Sequence, residues 1–176
     1  MSSQSLVPSS SNLPAQARVV QVGALQEQAR AAGRQFLTFR VSAEEYGLDI
    51  LRVQEIRSYE APTRIAHAPA FVKGVINLRG VIVPIVDLRL RLGQPAEYNS
   101  FTVVVVLNVG HRVVGVVVDS VSDVLELDAQ AIRPAPDISG ALDSRFITGL
   151  GQLGGRMLIL LDIEGMVSSP DFGLMD

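Results

Sequence analysis

Three stretches of this chain place residue types at spacings that could do chemistry. The glycines of "GLGQLG", Gly149 to Gly154, match the G-x-G-x-x-G pattern in which a tight turn and a helix N-terminus hold a dinucleotide pyrophosphate. The tripeptide "DFG" at Asp171 to Gly173 matches the magnesium-binding element of protein kinases. Two histidines, His67 and His111, are of a type that ligates metals. None has the surroundings its chemistry needs. The glycine pattern runs into "RMLILL", which reads as a strand and not as the phosphate-facing helix, so a tight turn needing positive φ is the reading favoured here. Only about twenty residues separate that pattern from "DFG", too few for a lysine strand and a catalytic loop. The two histidines are too few and too separated for a metal site, and the absence of cysteine excludes disulfides and thiolate ligands. No Ser/His/Asp or paired-carboxylate arrangement stands out. The expectation is no catalytic residue, no metal and no cofactor.

A fourth feature is an arginine beside a strongly apolar strand. "FVKGVINLRGVIVPIVDL" begins at Phe71, and "FITGLGQLGGRMLILLDI" begins at Phe146. Superposed, Gly74 meets Gly149, Leu78 meets Leu153, Gly80 meets Gly155 and Asp87 meets Asp162, while Arg79 meets Gly154. A second block repeats too: Gly47 to Ile56 and Gly115 to Val124 each span nine positions, which sets Glu55 against Asp123. The chain therefore carries one unit twice. The first copy has an acid and an arginine at these related positions, and the second has the acid alone. If Arg79 were needed to close the unit, the second copy would have one. Arginine next to apolar residues is a frequent contact combination, so Glu55 and Arg79 are expected to lie together at a partner-facing edge.

The elements that position these residues are strands. Leu37, Phe39 and Val41 alternate with Thr38, Arg40 and Ser42, the period of a half-buried strand, and "YGLDI", "VQEI" and "VIVPIV" continue the pattern. Pro84 implies an edge position or a bulge. The second copy repeats the order through "FTVVVVLNV", "RVVGVVVDSVSDVLEL" and "RMLILLDI". Residues 1–18, rich in serine and proline, read as a disordered tail; 19–32 suit a short helix ended by Gly33, and the C-terminal segment another. Two copies of a five-strand unit, each too small for a comfortable core, suggest an all-β fold of twin small barrels packed together. The expected boundaries are a tail over 1–34, a first barrel unit over about 35–92, and a second over about 99–164 followed by a C-terminal segment.

Composition narrows the function. The 176 residues carry 15 basic and 18 acidic side chains, which leaves no electrostatic footprint for nucleic acid. Hydrophobic residues make up 48% of the chain, yet no run approaches the roughly 18 residues of a membrane helix. The excess fits strands buried on both faces or apolar surface kept for partners. In "VVVVL" at 103–107 one face is expected in the core and the other open to a partner. No signal peptide is visible, so the expected compartment is the cytoplasm, without direct membrane insertion.

"YGLDILRVQEIR", "TRIAHAPAFVKGVINLRGVIVPIVDLR", "VVVLNVGHRVVGVVVDSVSDVLEL" and "FITGLGQLGGRMLILLDIE" resemble the bacterial chemotaxis coupling family CheW, from about Gln35 to Glu164. The resemblance implies two five-stranded SH3-like barrels and a non-enzymatic adaptor. It implies as partners the cytoplasmic tip of transmembrane chemoreceptors (methyl-accepting chemotaxis proteins) and the regulatory domain of the histidine kinase CheA, with recruitment to membrane receptor arrays. By motif, the receptor contacts it implies fall on Val53, Glu55, Gly74, Arg79, Val103, Val104 and Val124; kinase contacts are implied at the outer barrel ends without residue assignment. The N-terminal segment is longer than the resemblance requires. The alternatives are a coupling module of another two-component sensory system, including one fused to a receiver, and a dinucleotide-dependent enzyme built on "GLGQLG". The chain's end soon after the second copy favours a free-standing adaptor. Far-UV circular dichroism should be dominated by β-structure; a helix-dominated spectrum would contradict the twin-barrel reading.

Overall fold

The computed structural model describes Gly23, residues 34–135 and residues 144–168; the expected helix over 19–32 (Gly23 apart) and the "DFG" tripeptide lie outside them. Eleven strands account for most of the described chain. In order they are β1 Gln35–Val41, β2 Glu44–Asp49, β3 Val53–Ser58, β4 Val72–Leu78, β5 Val81–Asp87, β6 Val103–Val109, β7 Arg112–Val118, β8 Ser120–Glu126, β9 Ile132–Arg133, β10 Ile147–Leu153 and β11 Arg156–Leu161. Two short helices follow the two copies, α1 Leu88–Arg91 and α2 Ile163–Ser168. The first was not anticipated, because helices were expected only at the termini.

The fold is all-β, as expected, with one sheet of six strands in the order β8-β1-β2-β11-β10-β9 and one of five in the order β3-β6-β7-β5-β4. The assignment of one barrel to 35–92 and the other to 99–164 needs correction. β1 and β2 of the first copy complete the sheet of the second, and β6 and β7 of the second complete the sheet of the first. A 3-10 turn over Ile50–Arg52 carries the chain across between β2 and β3, and Asp119 marks the same step between β7 and β8. Every pairing between copies has a repeat-related mate. Ile56 lies opposite Val105 as Val124 lies opposite Leu37, and Ile85 lies opposite Gly115 as Leu160 lies opposite Gly47. Sequence pattern cannot tell pairing within a copy from pairing between copies, because the same residues do both.

Three apolar clusters follow from this exchange. The large one joins both sheets through Leu37, Phe39, Leu48, Val53, Val105 and Val116 among others. Inside the five-stranded sheet, Leu78, Val83, Ile85, Val104, Val106 and Val117 form a second, and inside the six-stranded sheet Phe36, Leu127, Leu158 and Leu160 form a third. Val83, Ile85 and Val104 occupy the repeat positions of Leu158, Leu160 and Phe36, so each sheet wraps the same small core. Pro84 is not on an edge strand. The β5–β7 ladder covers only Ile85–Asp87, so Pro84 lies where that side of the strand is unpaired.

One buried ion pair, Asp87 with Arg89, sits in this apolar frame and reaches out to the partly exposed Tyr98 and Asp119. Asp87, at the end of β5, accepts from Arg89 Nε and Nη2 at 2.9 Å each and from Tyr98 Oη at 2.6 Å. Arg89 Nη1 donates to the Glu97 carbonyl at 2.7 Å and to Asp119 Oδ1 at 2.9 Å. Asp87 and Arg89 are both completely buried. One guanidinium thus ties the end of β5, the segment joining the two copies and the crossover at Asp119. The other half has a counterpart with the charges exchanged: Glu164, at the repeat position of Arg89, meets Arg52 of the first crossover at 3.0 Å, in a partly exposed pair.

Removing one member of a buried pair leaves an uncompensated charge and costs about 3–5 kcal/mol. Arg89→Met should lose that much in urea unfolding at neutral pH. Burial pushes the Asp87 carboxyl up, but the hydrogen bonds from Arg89 and Tyr98 and the guanidinium charge outweigh it, and it titrates below its ordinary value. The stability this lowered value confers is present above the unfolded-chain value near 4 and disappears as pH falls through the folded value. Wild-type protein should therefore weaken in acid, and the deficit of Arg89→Met should shrink there.

Candidate functional site

The turn between β4 and β5 consists of Arg79 and Gly80, both left-handed, with φ of 52° and 87°. The matching turn between β10 and β11 is Gly154 and Gly155, with φ of 58° and 80°. Two-residue hairpin turns favour positive φ at both positions because that matches strand twist, hence their preference for glycine. A side chain in this region costs on the order of 1–2 kcal/mol. Arg79 therefore occupies a position where the backbone favours glycine.

The Arg79 side chain reaches Glu55 on β3. Arg79 Nη2 donates to Glu55 Oε2 at 2.7 Å, which confirms the proximity expected from the repeat. The Glu55 side chain is 8% exposed and that of Arg79 is 64% exposed, so a buried acid anchors a largely free guanidinium. Arg57 Nη1 stands 3.9 Å from the other carboxylate oxygen. Val81 and Ile82, the next residues on β5, are 51% and 61% exposed. A cleft of about 250 Å³ opens nearby, lined by Arg57, Glu60, Thr63, Ile76, Asn77 and Val104 among others. The edge combines a cation, an apolar step and a recess.

The second copy does not hold its acid alone, contrary to expectation. Arg156, at the repeat position of Val81, donates to Asp123 at 3.0 and 3.1 Å and to Glu45 at 2.5 and 3.3 Å. The arginine has moved from the turn to the first residue of the strand, where no left-handed backbone is required. Thr38 Oγ1 donates to the Asp123 carboxylate and accepts from its N–H at 3.0 Å. Burial raises the Asp123 carboxyl, but the bonds from Arg156 and Thr38 prevail and hold it below its ordinary range. Arg156 is shared by two acids, whereas Arg79 bonds to one and leaves most of its donors to solvent.

The remaining expected contact residues are placed differently. Val53 and Val103 belong to the large shared core. Val104 belongs to the inner cluster of the five-stranded sheet, 4% exposed, and touches only the wall of the cleft. The expectation of an outward face on "VVVVL" is corrected: β6 lies between β3 and β7, with Val103, Val105 and Leu107 in one core and Val104 and Val106 in another. Gly74 has φ of 142°, and a Cβ there would fall 2.0 Å from the Thr63 carbonyl oxygen. It permits the Thr63–Val75 backbone pairing, with hydrogen bonds of 2.8 and 2.9 Å, and has no side chain to offer a partner. Val124 is half-buried on β8 in the other sheet. Val81 and Ile82 escaped the sequence reading, although two adjacent apolar residues on one strand must point to opposite faces.

"GLGQLG" is chiefly strand β10 and leads by a hairpin into β11, so no helix N-terminus faces it. Its first two glycines serve close packing instead of a turn. A Cβ at Gly149 would meet Ile132 at 2.9 Å, and one at Gly151 would meet Leu127 at 2.7 Å. Only Gly154 belongs to the turn itself. Among the described residues no cluster of ligating side chains could hold a metal ion, and no helix is long and apolar enough to cross a membrane.

Comparison with known proteins agrees with this architecture. The family model described as the CheW-like domain matches residues 35–171. The chain is 59% identical to Chemotaxis protein CheW of Klebsiella aerogenes, over 82% of this chain and 87% of that protein. It is 41% identical to Chemotaxis protein CheW of Rhizobium meliloti, over 79% and 90% respectively. The crystal structure of the scaffolding protein TtCheW from Thermoanaerobacter tengcongensis matches with a TM-score of 0.72 at 27% identity, covering 80% of this chain and 92% of that one.

Two substitutions test the geometry. Arg79→Gly removes the ion pair and the backbone strain together, so its unfolding free energy should stay within about 1 kcal/mol of wild type, whereas Arg79→Ala retains the strain and should be less stable than Arg79→Gly. Val104→Asp places a carboxylate in an apolar cluster and should lose several kcal/mol in denaturant unfolding; a near-neutral result would mean that β6 has an open face after all.

Proposed function

This chain belongs to the CheW-like domain family, and from that premise we propose that it couples the cytoplasmic tip of transmembrane chemoreceptors to the histidine kinase CheA within membrane-associated arrays. Its role is that of a chemotaxis scaffold without catalytic activity. The observation that carries the coupling reading is Arg79. A residue kept in a left-handed turn, where the same chain uses glycine seventy-five positions later, contributes through its side chain. That side chain is anchored by a buried acid beside exposed Val81 and Ile82, the composition of a contact edge for a helix with an apolar stripe.

In this reading Glu55 and Arg79 meet the receptor directly. Val53, Gly74, Val103 and Val104 act from beneath, by setting the shape of the five-stranded sheet and of the loop packed on it. Val124, half-buried on the six-stranded sheet and packed against the shared core, contributes from that side. The kinase regulatory domain takes the outer barrel ends.

The test is co-sedimentation with a receptor cytoplasmic fragment, together with a CheA pull-down. Arg79→Gly should remain folded, lose at least tenfold in receptor affinity and keep its kinase interaction. Arg79→Glu should be worse, because it sets two acids against each other. Receptor binding by Arg79→Gly at wild-type strength would overturn the assignment of this edge.

A further inference from the structure

We infer that this chain is a strand-exchanged dimer joined into one polypeptide, and that a second copy of the same chain can supply either half. Four strand pairings hold the two copies together, β1–β8, β2–β11, β3–β6 and β5–β7, and they form two repeat-related pairs. Each copy thus presents to the other the same surfaces that it receives, the arrangement of a twofold-symmetric interface. Nothing in these pairings depends on both copies being in one chain. If the first copy of one molecule paired with the second copy of another, every strand partner and core contact would be reproduced. Only the path of residues 93–102 between α1 and β6 would change.

That connecting segment decides between the two outcomes. Ten residues link α1's capping residue Leu92 to β6, enough to reach roughly 33 Å when extended. In the monomer it is folded back and tied. Arg89 holds the Glu97 carbonyl, and the Tyr98 hydroxyl bonds to Asp87, so the linker is pinned to the end of the first copy. The tie keeps the second copy beside its own first copy, at an effective concentration on the order of millimolar. Exchange between chains therefore requires unfolding followed by refolding at comparable protein concentration. The exchanged dimer would carry the Glu55–Arg79 edge twice and so double the scaffold's contact valency.

The chain has no cysteine, so introduced thiols report pairing without background. Arg40 on β1 and Ser120 on β8 are register partners from different copies, and neither lies in an apolar cluster. A chain with Arg40→Cys and a chain with Ser120→Cys are mixed either native, or after joint unfolding and refolding at several hundred micromolar, and then mildly oxidised. Co-refolding should give a disulfide-linked heterodimer of twice the monomer mass by light scattering; native mixing should not. Introducing Tyr98→Phe into both chains should raise its yield severalfold by releasing the linker. A co-refolded sample with no heterodimer above the native mixture overturns the inference, as does linked dimer at equal yield from either variant alone. Unchanged yield with Tyr98→Phe overturns the role given to the linker tie. Light scattering of refolded wild-type chain provides a readout independent of the thiols: a dimer fraction supports the exchange, and monomer alone at millimolar concentration overturns it.

Discussion

The buried guanidinium of Arg89 is the point at which the two copies are fixed to one another. A charge with no exposure is tolerated only when its donors are satisfied, and here they reach the end of β5, the linker backbone and the crossover aspartate. Each of these belongs to a different segment of the exchange. Were the crossover at Asp119 to shift, the cation would lose one of its two carboxylate partners inside the protein. The constraint acts less as a source of net stability than as a specification, since mispositioned alternatives leave a charge unpaired. The counterpart pair Arg52–Glu164 has the opposite polarity and lies nearer solvent, and it asks less of its half.

With the crossovers fixed, the contact edge follows. β3 enters the five-stranded sheet directly after the first crossover, which sets Glu55 within reach of the β4–β5 turn. In the other sheet the same position carries Asp123, and the arginine that neutralises it sits two residues further along. One duplicated frame has thus produced two ion pairs of different character. The second is closed, with its cation divided between Asp123 and Glu45. The first is open, and its apolar neighbours are exposed.

Much of this was legible in the residues. Period-two alternation and the repeat identified strands, their order and the five-strand unit, because a sheet face imposes that alternation directly. The nearness of Glu55 and Arg79 could be inferred because the second copy served as a reference. The exchange of strands could not, since a repeat is silent on which copy supplies a neighbour. For the same reason Val103 and Val104 looked half-available when both faces of β6 are covered. The Arg89 network was equally hidden: its members are separated by linker and strand, and nothing in "DLRLRLGQPAEY" distinguishes Arg89, which is buried, from Arg91, which is not fully so. The acid's partner in the second copy was missed because the alignment compared equal positions and the arginine had shifted.

The exchange also governs how the protein is made. A chain leaving the ribosome folds in segments only if each segment can satisfy its own strands, and the first copy cannot. β2 pairs with β11, so Tyr46 must wait for Ile159 before its sheet is continuous. At 5–20 residues per second the interval is on the order of ten seconds. During that time the edge of β2 stands open, whereas those of β3 and β5 close sooner, once β6 and β7 have been made.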